Sequence, residues 1–202
     1  MGRSSINVKR LTLWKLLTDD TTATTYDTEA YKFVNELNSV KYSPKVETAS
    51  QYGDGVKVED YVAKDGGDIE AVIRGFKQGD HEFLFGESKT AEGTSISAAD
   101  DIVPYNCTAY MTVRPDGKVN LYKFPKVKYM PQGEDSKQQE GSKIEYGTAQ
   151  LKGTYSPLLS NHHDCYKRLG VDPDSDSEFI EKWFSTAGFY TAGTDADSTD
   201  GG

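Results

Sequence analysis

The feature that most constrains this chain is an alternation within residues 105–155. Tyr105, Cys107, Ala109, Met111 and Val113 interleave with Asn106, Thr108, Tyr110, Thr112 and Arg114, the two-residue period of a strand with one face covered. Pro115-Asp116-Gly117-Lys118 follows. Proline presets φ at a turn corner, and glycine accepts the positive φ that a bulged hairpin needs. Residues 119–124 return, Lys126-Val127-Lys128-Tyr129 continues the alternation, and residues 144–155 give a third β-rich run. A lone hairpin is marginal in water, so this one requires a sheet, a helix or neighbouring subunits to cover it. The expected class is mainly β.

Upstream, residues 8–17 read as a first strand, with Leu11, Leu13, Trp14, Leu16 and Leu17 available for burial. Thr18-Asp19-Asp20-Thr21-Thr22 reads as a turn, because short polar side chains bond locally to backbone. Residues 31–42 give a second β-like run, its period spoiled around Asn35-Glu36, and Pro44 is expected to end it. Residues 45–67 carry Gly53-Asp54-Gly55, then Val56 and Val58 alternating with Lys57 and Glu59, then Asp65-Gly66-Gly67. Two weak strands around a glycine-rich tip predict an extended excursion, and long excursions from compact domains are usually functional or disordered. A phosphate-cradling loop is disfavoured: Gly-Asp-Gly lacks the Lys-Ser/Thr of a P-loop and precedes a strand.

Residues 68–76 resume alternation, and residues 78–85 predict a short helix with Asp80 as cap, Phe83 and Leu84 inward and Gly86 as its left-handed stop. Residues 90–101 and 132–141 read as loop. Residues 156–170 look irregular, and residues 172–177 form an acidic turn that fails the calcium-loop pattern at Ser177 and Trp183, where Gly and Glu are needed. A last helix over residues 178–185 places Phe179, Ile180, Trp183 and Phe184 at helical spacing, with Ser177 as N-cap and Gly188 just past its end. The expected organisation is a β domain over residues 1–157, a C-terminal extension over 158–190, and an acidic, disordered tail over 191–202.

Charge excludes one class. The formal charge is −9 over 202 residues, and residues 172–202 hold eight acidic residues against one base, Lys182. A chain with no basic stripe in its sequence lacks the counterion-releasing surface that nucleic-acid affinity requires. Two cysteines are too few for a disulfide framework, and Cys107 on an apolar face reads as a small buried hydrophobe. No secretory h-region or membrane span is expected, so the setting is a reducing cytoplasm.

His162-His163-Asp164-Cys165 is the only cluster of metal-ligating or nucleophilic types, with His81 the remaining histidine. Adjacent side chains point apart, whereas zinc sites draw spaced pairs, so a polar loop is expected there. A cysteine- or metal-dependent hydrolase using Cys165 or His162 is a weaker reading. No nucleophile elbow, zincin or dinucleotide fingerprint occurs, so catalytic, cofactor and metal residues are all expected to be absent. Tyr26, Tyr31, Tyr42, Tyr52, Tyr61, Tyr110 and Tyr122 read as surface tyrosines, which leaves a carbohydrate-binding β-sandwich as an alternative.

Taken in order, several pieces resemble one family. These are Gly53-Asp54-Gly55, Asp65-Gly66-Gly67-Asp68-Ile69 as a turn into a strand, and Phe83-Leu84-Phe85-Gly86-Glu87 closing the helix. Pro115-Asp116-Gly117-Lys118, Phe124-Pro125-Lys126-Val127-Lys128-Tyr129 and Lys143-Ile144-Glu145-Tyr146-Gly147-Thr148 follow. Across residues 45–155 the chain resembles the major tail proteins (tail tube proteins) of long, non-contractile-tailed phages of Gram-positive bacteria. The residues after Val171 have no counterpart in that pattern.

The resemblance implies a β-sandwich or half-barrel with a short flanking helix, its strands completed into a barrel by a hexameric ring. Rings stack into a tube in the virion tail, assembled in the host cytoplasm, through which DNA passes without being tightly held. It implies contacts to the adjacent ring from the loop at 45–67, here Tyr52, Asp54, Val56, Val58, Tyr61 and Asp65. Sheet-to-sheet ring contacts would come from Tyr110, Tyr122 and Tyr146. The implied partners are other copies of the chain and the tail tip, tail terminator and tape measure proteins, with no cofactor and no membrane. The tube of a contractile injection or secretion machine is the structural alternative. The low apolar fraction, 36%, suits a subunit whose core is finished by neighbours.

Overall fold

The structure, a computed structural model, describes residues 4–33, 37–53, 56–77, 79–132 and 148–188, with backbone only for 31–33, 49–53 and 56–61. In chain order the strands are β1 (Asn7–Asp19), β2 (Thr24–Tyr26), β3 (Tyr31–Phe33), β4 (Leu37–Gly53), β5 (Val56–Ile73), β6 (Ser88–Lys89), β7 (Ser95–Ile96), β8 (Tyr105–Val113), β9 (Val119–Met130), β10 (Ala149–Tyr155) and β11 (Tyr166–Val171). Among the described residues two helices, α1 (Asp80–Phe85) and α2 (Ser177–Ser185), join them. The fold is mainly β, as its alternation predicts. The predicted loop at 90–101 contributes β7, which pairs with β6 as a separate small ribbon.

The β8–β9 hairpin forms where the sequence places it. Arg114 N–H donates to Lys118 O at 2.9 Å, Gly117 takes φ +81°, and the Asp116 carboxylate accepts the Lys118 N–H. From this hairpin the antiparallel sheet grows in the order β2-β1-β8-β9-β10-β5-β4, with β3 on the free edge of β1 and β11 on β9. One edge of β9 therefore carries β8, and the other carries β11 and β10 end to end. Pro125 falls at that seam and within a register shift against β8, a place where proline's missing N–H leaves no ladder bond unmade. The sheet curls so that Tyr42 of β4 packs against Tyr122 and Phe124 of β9, at 6.0 and 5.4 Å between ring centres. Among the described residues no hydrogen-bonded register joins β4 to β1, so the half-barrel stays open there.

Two cores flank the sheet. Inside the curl, Leu11, Leu13, Ile69, Ile73, Tyr110, Phe124, Tyr129 and Leu151 pack around Leu84 and Phe85 of α1. Outside it, Trp14, Cys107, Ala109, Val119, Leu121 and Val171 are covered by Ile180, Trp183 and Phe184 of α2. The expectation of one covered face on β8 is therefore corrected: every residue from 106 to 110 is buried. Two of its buried polar side chains find partners, Thr108 Oγ1 at 3.0 Å from the Tyr129 hydroxyl and the Asn106 amide donating to the Pro104 carbonyl at 3.3 Å, while Asn106 Oδ1 is left without one. The segment expected as an extension closes this outer core. The end of the 156–170 stretch expected to be irregular instead forms β11, its register shifted before Val171 where Gly170 takes φ +72°.

Capping differs from expectation in detail. Gly79 precedes α1 in a left-handed conformation, and Asp80 turns its carboxylate back to the Lys77 N–H at 2.7 Å. Gly86 stops the helix as predicted, at φ +76°. For α2 the N-cap is Asp176 rather than Ser177, and Thr186 ends the helix. A bulge in β1 between Lys9 and Thr12 holds Arg10 at φ +59°. It aims the guanidinium at α2, where it meets both carboxylate oxygens of Glu181 at 2.7 and 3.1 Å and covers the Phe184 ring.

Candidate functional site

The loop at 162–165 holds the cluster of metal-ligating and nucleophilic types singled out in the sequence. His162 and His163 are exposed, and His163 Nδ1 lies 2.8 Å from the Tyr166 hydroxyl. Burial pushes the Cys165 thiol up to about 12, the opposite of an activated nucleophile. His81 stands edge-on to Phe76 and Phe85 and contacts Glu87, so its neighbours lie on and beside α1. Among the described residues no three His, Cys, Asp or Glu side chains converge as a metal would require.

The tyrosines expected on the surface divide. Tyr110 is 2% exposed and stacks on half-buried Tyr122 at 5.0 Å and 15°, with Tyr42 joining them. Tyr26 turns its hydroxyl to the Pro125 carbonyl. These rings pack within the chain, which corrects the reading of Tyr110 as a surface ring and removes the basis for a sugar platform at Tyr42 and Tyr110. Tyr146 and Asp54 lie outside the described residues.

The excursion at 45–67 is the candidate site. Its base is integral to the sheet: Gly67 to Ile73 pairs with β10, and Leu37 to Pro44 pairs with that same stretch of β5. Pro44 does not end the strand, contrary to expectation. It lies opposite Gly67 on an edge strand, at a register shift where no N–H is needed. Asp65-Gly66-Gly67 is likewise a bulge inside β5, not a turn before it. Gly66 takes φ +68°, and a Cβ there would fall on the Tyr155 carbonyl.

Beyond the bulge the two strands continue as a ribbon, from Val46 opposite Lys64 out to Gly53 opposite Val56. Tyr52, Val56, Val58 and Tyr61 are in its backbone, and Asp65 stands exposed at its root. No third strand pairs with it among the described residues, since β10 stops opposite Gly67. Val46 and Val62 are 49% and 57% exposed. At about 3.3 Å per residue the eight residues from Val46 to Gly53 reach roughly 26 Å past the sheet.

No family model matches the chain, and no curated protein matches it. Among solved structures, one match is a chain in the cryo-EM structure of the anti-feeding prophage baseplate, 6-fold symmetrised. It is 6% identical, covers 83% of this chain and 97% of that one, and gives a TM-score of 0.41. At that identity and score the likeness assigns neither family nor role to this chain.

Sequence reasoning missed one feature altogether, the burial of Lys123. Its ammonium is 0% exposed, donates to Thr186 O at 2.8 Å and Ala187 O at 3.3 Å, and lies about 5 Å from the rings of Trp14 and Trp183. It thus caps the carbonyls at the end of α2. The signal was present: Lys123 shares its strand face with Val119 and Leu121. Burial lowers this lysine from 10.5 to about 8, with the neighbouring Cys107 acting the other way. Between those values the unfolded chain holds the extra proton, so stability contributed by Lys123 rises with pH. Cys107 and Cys165 are raised from 9.0, and Tyr155 and Tyr166 from 10.0, each to about 12. Those groups lower stability above pH 9. Denaturant midpoints are therefore expected to climb from pH 8 to 9 and then fall, and Lys123→Met should abolish only the climb.

Proposed function

We propose that the chain is a structural subunit of a phage tail tube, self-assembling into stacked rings that form a conduit for DNA. The observation that carries this reading is the unsupported ribbon of β4 and β5. A two-stranded ribbon with exposed valines and no third strand is marginal in water and gains stability when another surface covers it. It lies at the position from which the family resemblance places contacts to the adjacent ring. The long outer edge of β4 adds to the case: among the described residues no strand pairs with it over its 17 residues, and an unpaired edge is a template for pairing with another chain. Head-to-tail contacts that close by rotation make rings, and a second such surface stacks them. Tail tip, terminator and tape measure proteins are the partners this reading brings with it.

Removal of residues 46–65, closed by a short turn, tests the proposal. The shortened chain is expected to keep its far-ultraviolet spectrum and cooperative unfolding while failing to form tubes by negative-stain electron microscopy. Tubes of normal length from the shortened chain would refute the stacking role. A wild-type chain that stays single at high concentration would refute the whole reading.

A further inference from the structure

The outer face of the curled sheet is covered by α2 over only part of its extent. Over the second half of β9 and over β10, β5 and β4 the side chains on that face are exposed or half-buried. Register sets them in rows. One runs Ser43, Asp68, Thr154, Lys128, Tyr105, and the next runs Lys41, Glu70, Lys152, Met130. Lys45 joins at the margin, 3.0 Å from Asp68, and Lys128 lies 5.2 Å over the Tyr105 ring. Four lysines thus face two carboxylates on a chain whose formal charge is −9. These lysines are scattered over more than a hundred positions of sequence, and only the sheet brings them together.

The same molecule carries the complementary surface. Asp172, Asp174, Asp176 and Glu178 form the shoulder between β11 and α2 with no basic residue among them, and Asp174 and Glu178 are exposed. The Asp172 carboxylate accepts the Asp174 N–H, which fixes the turn. We infer that the lysine-bearing sheet face receives the acidic shoulder of a second copy, giving a head-to-tail contact between subunits. Complementary charge steers such an encounter and fixes its register, and the two unlike surfaces can propagate around a ring. The inference rests on the self-assembly reading and supplies its lateral contact, which is separate from the ribbon.

Two neutralised variants of the full chain test it in sedimentation velocity. Lys128→Gln/Lys152→Gln removes one surface, and Asp174→Asn/Glu178→Gln removes the other; all four positions lie outside both cores. The wild type is expected to self-associate, more weakly as salt rises. Each variant alone should associate at least about tenfold more weakly. An equimolar mixture of the two should form a one-to-one complex, because each supplies the surface the other lacks. If both variants assemble like the wild type, or the mixture stays uncomplexed while the variants lose assembly, the charge contact is overturned and the ribbon-based reading stands. Wild type that never associates overturns both.

Discussion

Trp183→Ala is expected to destabilise the chain by about 3–5 kcal/mol, which for a domain of this size lowers the thermal midpoint by roughly 6–20 °C. The indole is 4% exposed, lies 4.9 Å from the Lys123 ammonium and donates to the Tyr122 carbonyl at 3.4 Å. Its loss leaves a cavity between α2 and β9 and strips one aromatic wall from a buried cation. Phe179→Ala is the control. Phe179 is on the same helix but half-buried and covered by the Arg168 guanidinium at 4.0 Å, and its loss should cost less than half as much. Chemical denaturation of the two variants decides the point. A change under about 1 kcal/mol for Trp183→Ala would mean that α2 is not part of the cooperative core.

Gly66→Ala is the second large effect, expected near 3 kcal/mol from a left-handed φ and a backbone collision together. The methyl group would meet the Tyr155 carbonyl where β10 ends, so neither strand can yield cheaply. Damage should extend beyond stability, because this bulge sets the angle at which the ribbon leaves the sheet. Gly75→Ala, at a glycine with nothing within 4 Å of the added methyl, should be nearly neutral. Equal effects for the two would show that neither the left-handed φ nor the Tyr155 carbonyl constrains Gly66, because the chain-entropy effect of Gly→Ala is common to both sites and stabilising.

The parts legible in the sequence were those decided locally. The β8–β9 hairpin was readable because alternation and turn chemistry agree, and α1 and α2 because apolar spacing and a terminal glycine or acidic start mark them. What escaped was decided by partners far along the chain. Pro44 and Gly66-Gly67 look like breaks, yet as paired irregularities on facing strands they let one long hairpin continue. β11 carries Lys167, Arg168 and Leu169, all exposed, and becomes a strand because β9 offers it an edge. The lysine face was invisible for the same reason, since register alone gathers Lys41, Lys128 and Lys152.

The pairing of β1 with β8 spans about a hundred residues of chain. Ribosomes add about 5–20 residues per second, so β1 emerges roughly 5–20 s before its partner has been made. Throughout that interval Leu11, Leu13 and Trp14, all buried in the finished protein, have no sheet to enter. Successful synthesis thus depends on keeping a nascent amino-terminal segment soluble until the middle of the message is translated.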